Sequence, residues 1–146
     1  MEKIHIIITD DHQLFRNGLK ILLNSFPDFE VTGEASNGEE FVNLLKNTKA
    51  EIALMDINMP EMDGIEATRR GLRINPEINI IALSMYGEEE YYYKMIDAGA
   101  RGFLLKDSNI NEVREAILTV IRGGSYFSQK LLYNVIQKIK HRENEI

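Results

Sequence analysis

Residues 80–106 read IIALSMYGEEEYYYKMIDAGARGFLLK. Two short, mainly apolar segments, Ile78 to Leu83 and Gly102 to Leu105, enclose a helix-length stretch from Glu88 to Ala98. Uninterrupted apolar strands joined by a helix describe a βαβ unit, with parallel strands covered on both faces. The same unit recurs in both directions. Upstream lie Ile52 to Met55 with a helical pattern over Ile65 to Ile74, and Phe29 to Ala35 with Phe41, Leu44 and Leu45 on one helical face. Earlier still, the β-branched run Ile4 to Thr9 precedes Leu14, Phe15, Leu19, Leu22 and Leu23 at helical spacing. Downstream, Val113, Ile117, Val120 and Ile121 mark a fifth helix, broken by Gly123 and Gly124. Five such units predict an α/β fold with a doubly wound, five-stranded parallel sheet. A ligand site is expected outside the carboxyl ends of its strands.

The rest of the composition narrows what the fold can do. A chain of 146 residues fits one domain. There are no cysteines, which removes disulfides, thiolate metal sites and cysteine nucleophiles. The longest apolar runs are four residues, against the ~20 a membrane span needs. With no signal-like start, the sequence reads as a soluble cytoplasmic domain with no membrane partner. Net charge is −6, from 17 basic and 23 acidic residues, which disfavours electrostatic DNA binding by the chain as a whole. Residues 125–146 nevertheless balance at +2, leaving −8 on the first 124.

The strand ends collect the chemistry. Asp10 and Asp11 follow the first strand, Asp56 the third, Ser84 the fourth and Lys106 the fifth. Three carboxylates in one crevice repel one another unless a cation shares the site. Mg²⁺ suits a site of few carboxylates completed by water and phosphate oxygens. No histidine stands at a spacing suited to a transition-metal site, and His12 reads as a capping or packing residue. A carboxylate beside Mg²⁺, an ammonium and a hydroxyl make a phosphoryl-transfer constellation.

The strings DDHQLFRNGLKILL (10–23), MDINMPEMDGIEATRR (55–70), IIALSMYGEEEYYYKMIDAGARGFLLK (80–106) and GGSYFS (123–128) together resemble a response-regulator receiver domain, of the LuxR/NarL type of two-component transcriptional regulators. The resemblance covers about residues 3 to 128. It implies a CheY-like sheet with strand order 2-1-3-4-5 and a phosphorylation-activated signalling switch, fed by a sensor histidine kinase. It makes Asp56 the phosphoacceptor, Asp11 a direct Mg²⁺ ligand, Asp10 a ligand mainly through water and Asn58 a ligand through its backbone carbonyl. Lys106 and Ser84 would contact the phosphoryl group. Phe103 would be the switch aromatic, turning inward as Ser84 moves toward the phosphate. The only catalysis implied is Mg²⁺-dependent self-phosphorylation from a phosphodonor and autodephosphorylation.

Each residue has a plainer reading. Paired aspartates commonly cap helices, and Asp10 and Asp11 precede one that starts near Gln13. Asp56 alone is a turn residue ahead of Pro60 and Gly64, and Lys106 alone is a surface lysine. Their register at successive strand ends is what favours a site. Glu88, Glu89 and Glu90 read as the acidic first turn of the fourth helix. Of Tyr91, Tyr92 and Tyr93, at least one should be exposed. A haloacid-dehalogenase-like hydrolase would need a second aspartate where the text is DINM (56–59), and a flavodoxin-like binder would need a Gly/Ser/Thr-rich loop after the first strand.

The domain expected is residues 1–124. Beyond it, Leu131, Leu132, Val135, Ile136 and Ile139 form a sixth helical stripe within 125–146. This segment reads as a C-terminal extra helix and linker toward an output module, through which alone DNA would be bound. The family likeness also admits a homodimer, and the extra helix is expected to stay out of the receiver core.

Overall fold

The computed structural model describes residues 2–85 and 89–144, without the side chains of residues 89, 130 and 131. Its strands are β1 (Ile4–Thr9), β2 (Phe29–Ala35), β3 (Ile52–Asp56), β4 (Asn79–Ser84), β5 (Gly102–Leu105) and β6 (Tyr126–Phe127). They form one sheet in the order β2-β1-β3-β4-β5-β6, with every pairing parallel. The expected order of the first five holds, and β6 extends the edge beyond β5. Its backbone closes on β5 through Tyr126 N–H to the Arg101 carbonyl (3.1 Å) and Ser128 N–H to the Phe103 carbonyl (3.1 Å). Gly123, at φ 93°, turns the chain back to that edge in a conformation other residues resist.

The helices are α1 (Gln13–Asn24), α2 (Gly38–Leu45), α3 (Gly64–Ile74), α4 (Tyr92–Ala98), α5 (Ile110–Ile121) and α6 (Gln129–Asn144). Strand alternation sends successive side chains to opposite faces and so splits the core in two. On one face Ile7, Ala53, Met55, Ala82 and Phe103 meet α2, α3 and α4 through Phe41, Ala67 and Met95. On the other, Ile6, Ile8, Leu54, Ile81 and Leu104 meet α1 and α5 through Leu23, Ala116 and Ile117. Asn37, Asp63 and Asn109 cap α2, α3 and α5, each accepting from the backbone N–H three residues on.

Two details differ from expectation. Helix α4 is only seven residues long and is entered through a 3-10 turn, Glu89–Tyr91. Glu89 and Glu90 therefore lie ahead of the helix, and Glu88 lies outside the described residues. Helix α6 is docked: Val135 is buried in the same cluster as Phe103, while Leu132, Tyr133, Ile136 and Ile139 stay exposed. Leu131, also placed on that stripe, has its side chain outside the described residues. Among the described residues, no helix is long and apolar enough to cross a membrane.

Candidate functional site

Parallel pairing brings the ends of β1, β3, β4 and β5 to one edge of the sheet. Asp10 follows β1 and has no solvent exposure; Asp56 ends β3 at 2% and Ser84 ends β4 at 0%. Lys106 follows β5, and its side chain is mostly covered. Its ammonium lies 2.8 Å from Asp10 Oδ2 and 3.3 Å from Asp56 Oδ2. Neither buried oxygen receives an aligned hydrogen bond at those distances. The lysine thus acts as a shared point charge, and both carboxylates keep unused acceptor capacity, which a cation would satisfy.

Local sequence explains how the loops hold still. Asp10 is not the cap of α1: His12 occupies that position and makes no side-chain cap bond. Instead Asp10 Oδ1 accepts the His12 backbone N–H at 2.8 Å, folding the β1–α1 loop over the acidic pair. Arg16 ties the same loop down by donating to the Asp10 carbonyl and pairing with Glu34. Behind Asp56 the β3–α3 loop returns so closely that a Cβ on Gly64 would stand 2.2 Å from the Asp56 carbonyl oxygen. Only glycine permits that approach. Asn58 sits on the exposed rim with its backbone N–H 3.3 Å from Asp56 Oδ1.

The electrostatics are those of crowded acids. Burial pushes the Asp56 carboxyl up to about 7 from an ordinary 3.8; neighbouring Asp10 pushes the same way, and Lys106 offsets only part of it. For Lys106, burial opposes the charge, but the close Asp10 carboxylate and the charge of Asp56 outweigh it and hold the ammonium above its ordinary range. Carboxylate oxygens of Asp10, Asp11 and Asp56 and a ring nitrogen of His12 all lie within 4.8 Å of one another, so the cluster can hold a metal ion. The donor set, three carboxylates with two under-satisfied oxygens, fits a hard divalent cation.

The structure therefore brings Asp10, Asp11, Asp56 and Lys106 into one cluster. Ser84 stands at the adjacent strand end, its hydroxyl turned to the Leu104 carbonyl at 3.5 Å. Phe103 lies outside the crevice and is already fully buried, with Tyr92 at 5.2 Å between ring centroids. In this conformation the ring is already enclosed. Of the tyrosines, Tyr92 is buried and Tyr93 half-exposed, as their spacing required. The residue that sequence reasoning missed is His12, whose Nδ1 lies 3.2 Å from Asp10, 3.4 Å from Asp11 and 3.3 Å from the Lys106 ammonium. Spacing relative to other histidines could not show it, because its partners are carboxylates.

Residues 6–118 match the response regulator receiver domain family. The chain is 39% identical over 143 residues to the transcriptional regulatory protein DegU of Brevibacillus brevis, covering 98% of this chain and 61% of that protein. It is 37% identical to LiaR of Bacillus subtilis, covering 94% of this chain and 65% of the relative. It thus spans somewhat under two thirds of the length of these regulators. Its fold superposes on a LuxR-family two-component response regulator from Aurantimonas sp. SI85-9A1 with a TM-score of 0.86 at 28% identity, covering 94% and 98% of the two chains. The chain therefore belongs to the response regulator receiver domains of two-component signal transduction.

Proposed function

We propose that the chain accepts a phosphoryl group on a carboxylate oxygen of Asp56 from the phosphohistidine of a sensor kinase in the cytoplasm. The observation that carries this reading is a buried carboxylate at a strand end, paired with Lys106 at 3.3 Å and crowded by Asp10. A free nucleophilic oxygen needs Asp56 deprotonated, and a cation on the cluster favours that form. Mg²⁺, held by Asp10, Asp11, Asp56 and the Asn58 carbonyl, would supply charge neutralisation on the phosphoryl oxygens. The Asp56 oxygen bonds to phosphorus as the N–P bond to the donor imidazole breaks, and the imidazole leaves with the bonding electron pair. The Lys106 ammonium, shared between two carboxylates, is positioned to follow the new negative charge. Ser84 donates its hydroxyl to another phosphoryl oxygen after leaving the Leu104 carbonyl.

That rotation would change the packing of β4 against β5 and reach Phe103, the proposed switch residue. Because its ring is already enclosed, the response is a repacking against Tyr92 and Phe127. Residues 1–124 would form the receiver and 125–146 the connection toward a DNA-binding output module, the arrangement suggested by the longer regulators it resembles. Phosphorylation-controlled pairing of two copies belongs to the same reading.

The test is incubation with acetyl phosphate and Mg²⁺, read by intact mass and peptide mapping. One phosphoryl group on Asp56, lost in Asp56→Asn, is the expected result. Stoichiometric labelling of Asp56→Asn on another residue would overturn the assignment.

A further inference from the structure

We propose that His12 Nδ1 is an additional metal ligand that biases the acidic cluster toward borderline divalent cations such as Co²⁺ and Zn²⁺, relative to a site made of oxygens alone. The inference rests on reading that cluster as a cation site.

Three observations support it. Two donors bound at ~2.0–2.2 Å to one ion stand roughly 3.0–3.5 Å apart in octahedral or tetrahedral geometry. The separations of His12 Nδ1 from Asp10 Oδ1 and Asp11 Oδ1, 3.2 and 3.4 Å, are of that size. Second, the ring is not engaged in capping α1, and the backbone bond from His12 to Asp10 folds it back over the acids. Nδ1 stands among Asp10 Oδ1, Asp11 Oδ1 and the Lys106 ammonium, at 3.2, 3.4 and 3.3 Å, so in the tautomer protonated on the other nitrogen its lone pair points into the acidic cluster. Third, the buried Oδ2 atoms of Asp10 and Asp56 have the Lys106 ammonium at 2.8 and 3.3 Å but no aligned donor, so both keep acceptor capacity for a further cation. Imidazole nitrogen adds little for Mg²⁺, which prefers oxygen, but suits the later first-row ions. The residue therefore sets cation preference without taking part in the bond to phosphorus.

The ring is 60% exposed, so His12→Ala removes no core contact. Metal-free parent, His12→Ala and Asp11→Ala chains would be titrated calorimetrically with Mg²⁺ and, separately, with Co²⁺. The ¹H NMR spectrum of each Co²⁺-loaded chain would be searched for hyperfine-shifted imidazole protons. His12→Ala should weaken Co²⁺ binding roughly tenfold or more, leave Mg²⁺ binding within about twofold, and remove one set of shifted imidazole protons. Asp11→Ala should weaken both ions. Equal Co²⁺ affinity in parent and His12→Ala, with Asp11→Ala still impaired, would overturn the role of His12 alone. Unimpaired binding of both ions by Asp11→Ala would overturn the cluster reading and this inference with it.

Discussion

The middle of the sheet and its carboxyl edge are built by the same strands and are equally dry, yet they obey opposite chemistry. At the centre Ile8, Leu54, Ile81 and Leu104 are fully buried among apolar neighbours. Two or three residues further along the strands, Asp10, Asp56 and Ser84 are buried just as deeply. The apolar band stabilises the fold by removing surface from water, whereas the edge confines carboxylates where their charge is costly. A fold selected for stability alone would place apolar groups at both levels. The difference identifies the edge as the part of the molecule kept for chemistry.

Substitutions at the two levels should separate accordingly. The largest effect on stability is expected at the centre: Leu54→Ala should cost about 2–5 kcal/mol in chemical denaturation, by lost burial and a residual cavity. A loss below about 1 kcal/mol would mean that the band packs loosely. Where the levels meet, Gly64→Ala should cost about 1–3 kcal/mol and also slow phosphoryl transfer, because the added methyl overlaps the Asp56 carbonyl. Unchanged stability and labelling there would show that the β3–α3 loop relaxes freely.

Helix α6 offers a smaller contrast. Only Val135, among its described side chains, is buried in the core. Val135→Ala should cost about 1–2 kcal/mol, and removal of residues 129–146 should lower the melting temperature modestly without abolishing phosphorylation. Loss of folding on that truncation would make α6 integral to the receiver. The exposed Arg70–Glu66 pair (3.0 Å) marks the bottom of the scale, with Arg70→Ala expected to cost less than about 1 kcal/mol in the same assay.

Much of this was legible in the residues. Continuous apolar runs located β1 to β5 because both faces of a parallel sheet are covered, and five polar residues at their ends, Asp10, Asp11, Asp56, Ser84 and Lys106, located the edge. Strand β6 was not legible: two residues, Tyr126 and Phe127, carry no period, and their pairing depends on the turn at Gly123. The short α4 was hidden by Glu88 to Tyr93, whose composition suits a helix although the chain enters through a 3-10 turn. Asp10 passed equally well for a cap, since only the fold shows its side chain turned to Lys106 and the loop. His12 was set aside for want of another histidine nearby. Composition cannot weigh a contact formed with the acidic pair after β1 and a lysine brought in from the end of β5.

The central claim is that the carboxyl edge holds charge at the expense of stability until a cation offsets it. With Asp56 raised from 3.8 to about 7, the native chain retains a proton that the unfolded chain has lost between those values. Stability of the metal-free parent should therefore fall as pH rises through that window, and the penalty should be complete above about pH 7. Asp56→Asn removes the ionisation while keeping the shape. The decisive measurement is the melting temperature of parent and Asp56→Asn at pH 8, without and with saturating Mg²⁺. Without metal the variant should be more stable by about 2–4 kcal/mol, and Mg²⁺ should narrow the gap by stabilising the parent more. A variant less stable than the parent in metal-free buffer, with no dependence of the gap on pH or Mg²⁺, would contradict the account.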